Sequence, residues 1–196
     1  MKVLMIDAGP RPDSSTAASL EIVAGELVLQ AIEVETVYIG QETVSPCRGC
    51  GFCADKNRCA IDDIVNTLIE KSETAEAYIV ATQSHYSAAS GLLTMVLHRF
   101  LLAGKHHAHK PAAAVVTCRR SGGMTAFHEL NAFFSMKSMP IVSSSYWNIL
   151  YGTEPEQIRA DEEGVRTMKN LARNLAYLLR CKQAGQQCGI MPPILL

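Results

Sequence analysis

An excess of charge of either sign is missing from this chain. Across 196 residues, 18 lysines and arginines face 19 aspartates and glutamates, a formal net charge of −1. A near-neutral surface without a basic run offers no electrostatic footing for nucleic acid, so none is expected as a partner. Long hydrophobic runs are missing too: no apolar stretch suffices to cross a bilayer, and no membrane is expected. The N-terminus enters a strand directly, without the regions of a secretory signal, so the expected location is cytoplasmic. Two common phosphate signatures are absent as well. Without a Walker A lysine or a G-x-G-x-x-G spacing, the chain is a poor candidate for a nucleoside triphosphate or a primary NAD site. Nor does it carry a convincing Ser/His/Asp set or carboxylate pair, so no catalytic side chain is assigned.

Cysteine is what the chain has in plenty, seven in all. In a reducing compartment, metal binding or redox chemistry is a better use for them than structural disulfides. Cys47, Cys50, Cys53 and Cys59 form a C-x2-C-x2-C-x5-C run. That spacing puts four soft sulfur ligands on one loop, as an iron–sulfur cluster or a zinc ion requires. Zinc sites usually divide into two knuckles with a longer spacer, which favours the cluster. Free thiols or a disulfide near a subunit interface are the alternatives. Asp62 and Asp63 read as helix caps rather than ligands, and Cys181 and Cys188 as passengers. His106, His107 and His109 read as an exposed turn rather than a metal patch.

Strand and helix patterns alternate along the sequence. Strands are expected at 2–7, 34–39, 77–81, 112–117 and 140–144. Amphipathic helices are expected at 16–31, after Asp62 and Asp63, at 92–102, 126–136 and 161–179. Ser14 or Ser15 would cap the first helix. Such alternation, without repeats or linkers, predicts one doubly wound parallel α/β domain over 1–180 and an irregular tail over 181–196.

In such sheets, ligands sit beyond the carboxyl ends of the strands, where strand order reverses. The first of the loops there runs from Gly9 to Thr16, with Pro10, Arg11, Ser14 and Ser15 between. It offers backbone N–H groups, hydroxyls and a guanidinium at a helix N-terminus, donors suited to a phosphomonoester. An ordinary helix cap is the plainer alternative. A second loop, from Gln83 through Ser84, His85, Tyr86 and Ser87 to Gly91, is polar and has two rings able to stack on a heterocycle. A third, Thr117-Cys118-Arg119-Arg120-Ser121-Gly122-Gly123, sets two arginines beside two glycines as an anion-binding rim. Arg119 is assigned to that rim, while Arg120 stays open between it and an interface ion pair. Cys118 has no neighbouring base and reads as a packing residue.

The opening strand, the Pro-Arg-x-x-Ser-Ser-Thr loop, the Gln83-Ser84-His85 loop and a helix carrying His98-Arg99 resemble the NADPH-dependent FMN reductase family of flavodoxin-like proteins. The resemblance extends to about Leu179. It includes Cys118-Arg119-Arg120, Leu130 to Phe134, Met139 to Val142 and Tyr146-Trp147-Asn148. Gly9 stands where the family has Ser, Ser14-Ser15 where it has Gly-Asn, and Gln83-Ser84-His85 where it has P-V-Y. The resemblance implies a five-stranded sheet of order 2-1-3-4-5 with helices on both faces. It further implies that Pro10, Arg11, Ser15 and Thr16 hold an FMN phosphate. Gln83, Ser84, His85, Tyr86 and Ser87 would line the flavin, and Thr117, Cys118, Arg119, Gly122 and Gly123 would close its far side.

The cysteine run resembles that of archaeal-type iron–sulfur flavoproteins, which bind FMN and a [4Fe-4S] cluster. The implied activity is hydride transfer from NAD(P)H to FMN, then electron transfer to a small-molecule or protein acceptor. The alternatives are an electron carrier using a cluster on the four cysteines and a scaffold without enzymatic activity. A homodimer or homotetramer is expected, with Tyr146, Trp147, Ile149 and Tyr151 covering the flavin.

Overall fold

The computed structural model describes residues 1–194. Five strands form one parallel sheet: β1 (Lys2–Asp7), β2 (Glu33–Tyr38), β3 (Ala77–Gln83), β4 (Ala112–Cys118) and β5 (Ile149–Tyr151). Their order is β2-β1-β3-β4-β5, as the resemblance implies. The order reverses between β1 and β3, where the connection from β1 goes to one side and later connections to the other.

Alternation along the central strands assigns each side chain to one of two cores. Leu4 and Ile6 of β1, Tyr78 and Val80 of β3, and Ala114 and Val116 of β4 share one core with three helices. These are α2 (Ile64–Thr74), α3 (Gly91–Ala103) and α4 (Gly123–Met136). Val3 and Met5, Ile79 and Ala81, and Ala113 and Val115 face the other core. That side is covered by α1 (Ser15–Leu29), the short α5 (Pro155–Ala160) and α6 (Glu162–Gln187). Both faces of the inner strands are buried, which explains their continuous apolar runs.

Four expectations need correction. The fifth strand lies at Ile149–Tyr151, not at 140–144. Residues 140–142 form a single bridge to the start of β4, where the Ala112 N–H donates to the Pro140 carbonyl (2.9 Å) and the Val142 N–H to the Ala112 carbonyl (2.8 Å). The chain is then drawn off the ladder by α6. Ser144 Oγ donates to the Thr167 carbonyl (2.5 Å), and Asn174 Nδ2 donates to the Ser143 carbonyl (2.8 Å). It rejoins the sheet beside Val116–Cys118, at the carboxyl end.

The closing helix also outruns the expected stop at 179 and reaches Gln187, so the stretch from 181 is not all irregular. Its buried stripe does end at Leu179, so periodicity gives no signal for the polar turns beyond it. Nor is His107 part of an exposed turn. It is 2% exposed, with Nε2 3.1 Å from the Phe100 carbonyl and Nδ1 3.3 Å from the Tyr78 hydroxyl. Burial holds its pKa down at about 4, and the Phe100 bond only partly opposes that.

No helix among the described residues is long and apolar enough to cross a membrane. Tyr146, Trp147 and Tyr151 are exposed, but Ile149 is buried and cannot serve as covering surface.

Candidate functional site

At the carboxyl edge, beside the β1/β3 reversal, four loops enclose a cavity of about 210 Å³. Pro10, Arg11, Ser14 and Ser15 line it from the loop after β1. Gln83, Ser84 and His85 come from the end of β3 and its loop, and Thr117, Cys118 and Arg119 from β4 and its loop. Gly152 and Thr153, after β5, complete the wall; a strand of three residues gives no sequence signal for the loop that follows it.

The loop after β1 is shaped by helix capping. Ser14 caps α1, its Oγ accepting from the Ala17 N–H at 3.2 Å. The first turn of α1 holds no acidic side chain of its own to offset its positive dipole end. Ser15 Oγ and Thr16 Oγ1 each lie 3.3 Å from Thr117 Oγ1, joining the first turn of α1 to β4. Thr16 is fully buried behind the cavity. Gly9 is also buried, and its N–H donates to Asp7 Oδ1 at 2.8 Å. A side chain at Gly9 would collide with Ser14 Oγ. Burial pushes the Asp7 carboxyl up from its ordinary range, against the Gly9 hydrogen bond. As the last residue of an apolar strand, this carboxyl beneath the loop carries no motif in the sequence.

Arg11 stands at the rim. Its Nη2 lies 3.0 Å from Glu154 Oε2 and its Nε 3.5 Å from Asp13 Oδ1. A bound phosphate must compete with both carboxylates for the guanidinium.

The loop after β3 is a tight hairpin. His85 and Ala88 exchange both backbone hydrogen bonds at 2.9 Å, and Tyr86 and Ser87 between them have φ of 48° and 65°. Two consecutive positive φ values match a primed hairpin turn, normally filled by Asn or Gly. The turn thrusts Tyr86 fully into solvent. Tyr86 and Ser87 lie outside the cavity wall, and so do Gly122, Gly123, Gly9 and Thr16. Gly122 and Ser87 still shape the wall by clasping one loop to the next. Ser84 Oγ donates to the Gly122 carbonyl at 3.1 Å, and Gly122 has φ 85°. A Cβ there would lie 2.7 Å from Ser87 Oγ. Burial raises the Cys118 thiol pKa, opposed by the Gly123 and Arg120 N–H groups, in keeping with a packing role.

The donor set and one orphaned atom together test whether a phosphorylated heterocycle suits this cavity. Serine hydroxyls and a helix N-terminus gather at one end. Gln83 bonds His85 through Nε2 at 3.0 Å, while its Oε1 is buried without a partner. A buried acceptor left open favours a ligand that brings a donor. The cavity fits.

A second cavity, of about 350 Å³, lies under the loop between β2 and α2. Cys47, Cys50, Cys53 and Cys59 all line it, with Arg99, Leu102, Ala103 and Lys105 of α3 and the residues after it. Gly49 and Gly51 have φ of 63° and 73°, left-handed positions that let the chain turn between closely spaced cysteines. All seven cysteines are free thiols. Among the described residues no three His, Cys, Asp or Glu side chains meet closely enough to ligate one metal ion. Zinc needs four ligands within about 2.3 Å of one point. Thiols spread around the wall of a cavity suit a multi-atom cluster better. Asp63 does cap α2, its Oδ1 3.1 Å from the Val65 N–H, but it also pairs with buried Arg99, a contact that sequence spacing does not announce. Burial opposes the charge on Arg99, yet the bonds to Asp63 and Cys59 outweigh it and raise its pKa.

Residues 1–154 match the family model described as NADPH-dependent FMN reductase. The chain is 30% identical to an iron-sulfur flavoprotein of Methanosarcina thermophila, over 95% of this chain and 99% of that one. It is 27% identical to an iron-sulfur flavoprotein of Methanocaldococcus jannaschii, over 92% and 98% of the two chains. Among solved structures it is similar to a flavoenzyme NAD(P)H:(acceptor) oxidoreductase of Paracoccus denitrificans. That match has a TM-score of 0.70 and 14% identity, over 92% of this chain and 97% of the other. An archaeal flavodoxin superposes with a TM-score of 0.58 and 15% identity, over 92% and 99%. At such identities the structures speak for the fold alone.

Proposed function

The chain belongs to the NADPH-dependent FMN reductase family, and from that membership we propose that it is an FMN-dependent oxidoreductase. In this reading it takes hydride from NAD(P)H and passes electrons to a small-molecule or protein acceptor. When bound, FMN supplies the chemistry: it accepts a hydride and releases its electrons one or two at a time.

The side chains bind and orient. Ser14, Ser15 and the first turn of α1 receive the phosphate, with Pro10 fixing the turn and Arg11 adding charge once freed from Glu154. Ser84 and the open Gln83 Oε1 hold the ring edge, His85 steadies Gln83, and Thr117 braces Ser15 from behind. Arg119 lies in the cavity wall and gives the approaching anionic donor a cation. The carrying observation is a phosphate-type donor set and an unpartnered buried acceptor in one cavity at the strand-order reversal.

The four-cysteine cavity favours a second reading within the same fold, an electron carrier. Cys47, Cys50, Cys53 and Cys59 would hold a [4Fe-4S] cluster there. A visible spectrum of anaerobically purified protein, with iron and sulfide analysis, separates the readings. Flavin bands with NAD(P)H turnover and no iron support the reductase alone. A broad brown absorption with bound iron and sulfide supports the carrier. A colourless protein that fails to take up added FMN overturns both.

A further inference from the structure

The four-cysteine loop is tied at both stems to a single side chain. Arg99 sits on α3 and is 1% exposed. Its Nη1 donates to the Ser45 carbonyl (3.2 Å), before the first cysteine. Its Nη2 donates to the Ile61 carbonyl (2.9 Å), after the last. The same guanidinium grips Asp63 through Nη1–Oδ2 (2.6 Å) and Nη2–Oδ1 (3.0 Å). Its Nε and Nη2 also reach Cys59 Sγ, at 3.3 and 3.2 Å. The planar fork has five N–H donors, and this environment engages every nitrogen.

Cys59 is held on its backbone too. Buried Asn66 accepts from the Cys59 N–H (2.9 Å) and donates to the Cys59 carbonyl (3.2 Å). Among the described residues no hydrogen bond reaches the sulfur of Cys47, Cys50 or Cys53. The motif is therefore asymmetric, with one anchored thiol and three carried on the outer loop.

We propose that Arg99 is the positioning residue of the four-cysteine centre. It closes the loop before any metal arrives and presents Cys59 as the fixed ligand around which the others gather. It also tunes the group held there by donating to that sulfur. Metal sites that are unformed without metal spend binding energy on ordering the chain. Here an internal cation has already drawn the stems together. Hydrogen bonds to ligating sulfur stabilise the more negative, reduced state and so raise a cluster's potential. The tuning part rests on the cluster reading given above; the loop-closing part does not.

The test uses Arg99→Lys, Arg99→Gln and the double variant Arg99→Gln/Asp63→Asn, which avoids stranding a buried carboxylate. In the metal-free full chain, hydrogen exchange is followed over residues 45–61 and over the strands. The stems are expected to exchange about tenfold faster or more in the double variant, with the strands unchanged, as fits the loss of charge-assisted hydrogen bonds. Arg99→Lys should stay fast, because one ammonium cannot span both carbonyls and the sulfur. Equal exchange in wild type and double variant, or full protection restored by lysine, overturns loop closing.

Separately, each protein is loaded anaerobically with iron and sulfide and its midpoint potential measured. The variants should shift to more negative potential. An unchanged potential at full loading overturns the tuning. Wild type that takes up no cluster ends the cluster reading and the tuning with it, while the exchange comparison still decides on Arg99 as the clasp.

Discussion

In the proposed FMN site Arg11 has a competitor to shed, because its guanidinium is already paired with Glu154 at 3.0 Å. Half-exposed charges are screened, so Arg11→Ala should weaken FMN binding by only about 1 kcal/mol, less than an unscreened charge-assisted bond contributes. Glu154→Gln, which frees the guanidinium, should tighten binding; titrating FMN fluorescence against each variant measures both. A variant pair with identical FMN affinity removes Arg11 from the site. Gly122 is a steric case. Its φ of 85° and the closeness of Ser87 leave no room for a Cβ. Gly122→Ala should cost about 1–2 kcal/mol in urea unfolding, the range for a non-glycine residue held left-handed. The type of each loop was legible in the sequence: hydroxyls before a helix, a polar turn after a strand, glycines beside arginines. Partners distant in sequence were not. Arg11 with Glu154, Asp63 with Arg99 and Thr117 with Ser15 are brought together only by the sheet.

At the level of elements, β5 is an edge strand of only three residues. It is held to α6 through Asp161, whose Oδ2 accepts from the Tyr151 N–H (2.9 Å) while its Oδ1 caps the helix at the Gly164 N–H (3.0 Å). Asp161→Ala should lower stability by about 1–2 kcal/mol, as loss of a helix cap does. It should also loosen Gly152 and Thr153, so FMN should dissociate faster than from wild type in a stopped-flow displacement assay. Full stability with unchanged release would show that the carboxylate joins nothing. The three inner strands β1, β3 and β4 were readable because both their faces are apolar, and the edge strand β2 by its β-branched residues. The other edge strand was not: Ile141 and Val142 looked like its middle, yet bonds from Ser144 and to Ser143 tie that stretch to α6. A three-residue strand carries too little pattern to outweigh them.

The whole molecule divides into two apolar cores, and the buried His107 gives one of them a pH dependence. Its folded pKa of about 4 lies below the ordinary 6.5, so the unfolded chain takes up the proton first as pH falls. The contribution is complete above about pH 6.5 and drains away towards pH 4, a loss of about 3 kcal/mol. Asp7 works in the opposite sense, because its raised pKa lets the native state bind the proton earlier. Comparing wild type with His107→Gln by thermal melting between pH 4 and 7 therefore isolates the histidine. The variant should show a flatter acid limb; parallel curves would refute the assignment. Composition gave no hint of this residue, since a histidine between two others near a turn reads as surface.

The two cavities share no lining residue. The excursion between β2 and α2 that carries the four thiols begins and ends on one arginine. A lineage could lengthen, exchange or discard that detour while leaving the flavin end of the sheet untouched, so a single ancestral scaffold can yield both one-cofactor and two-cofactor descendants.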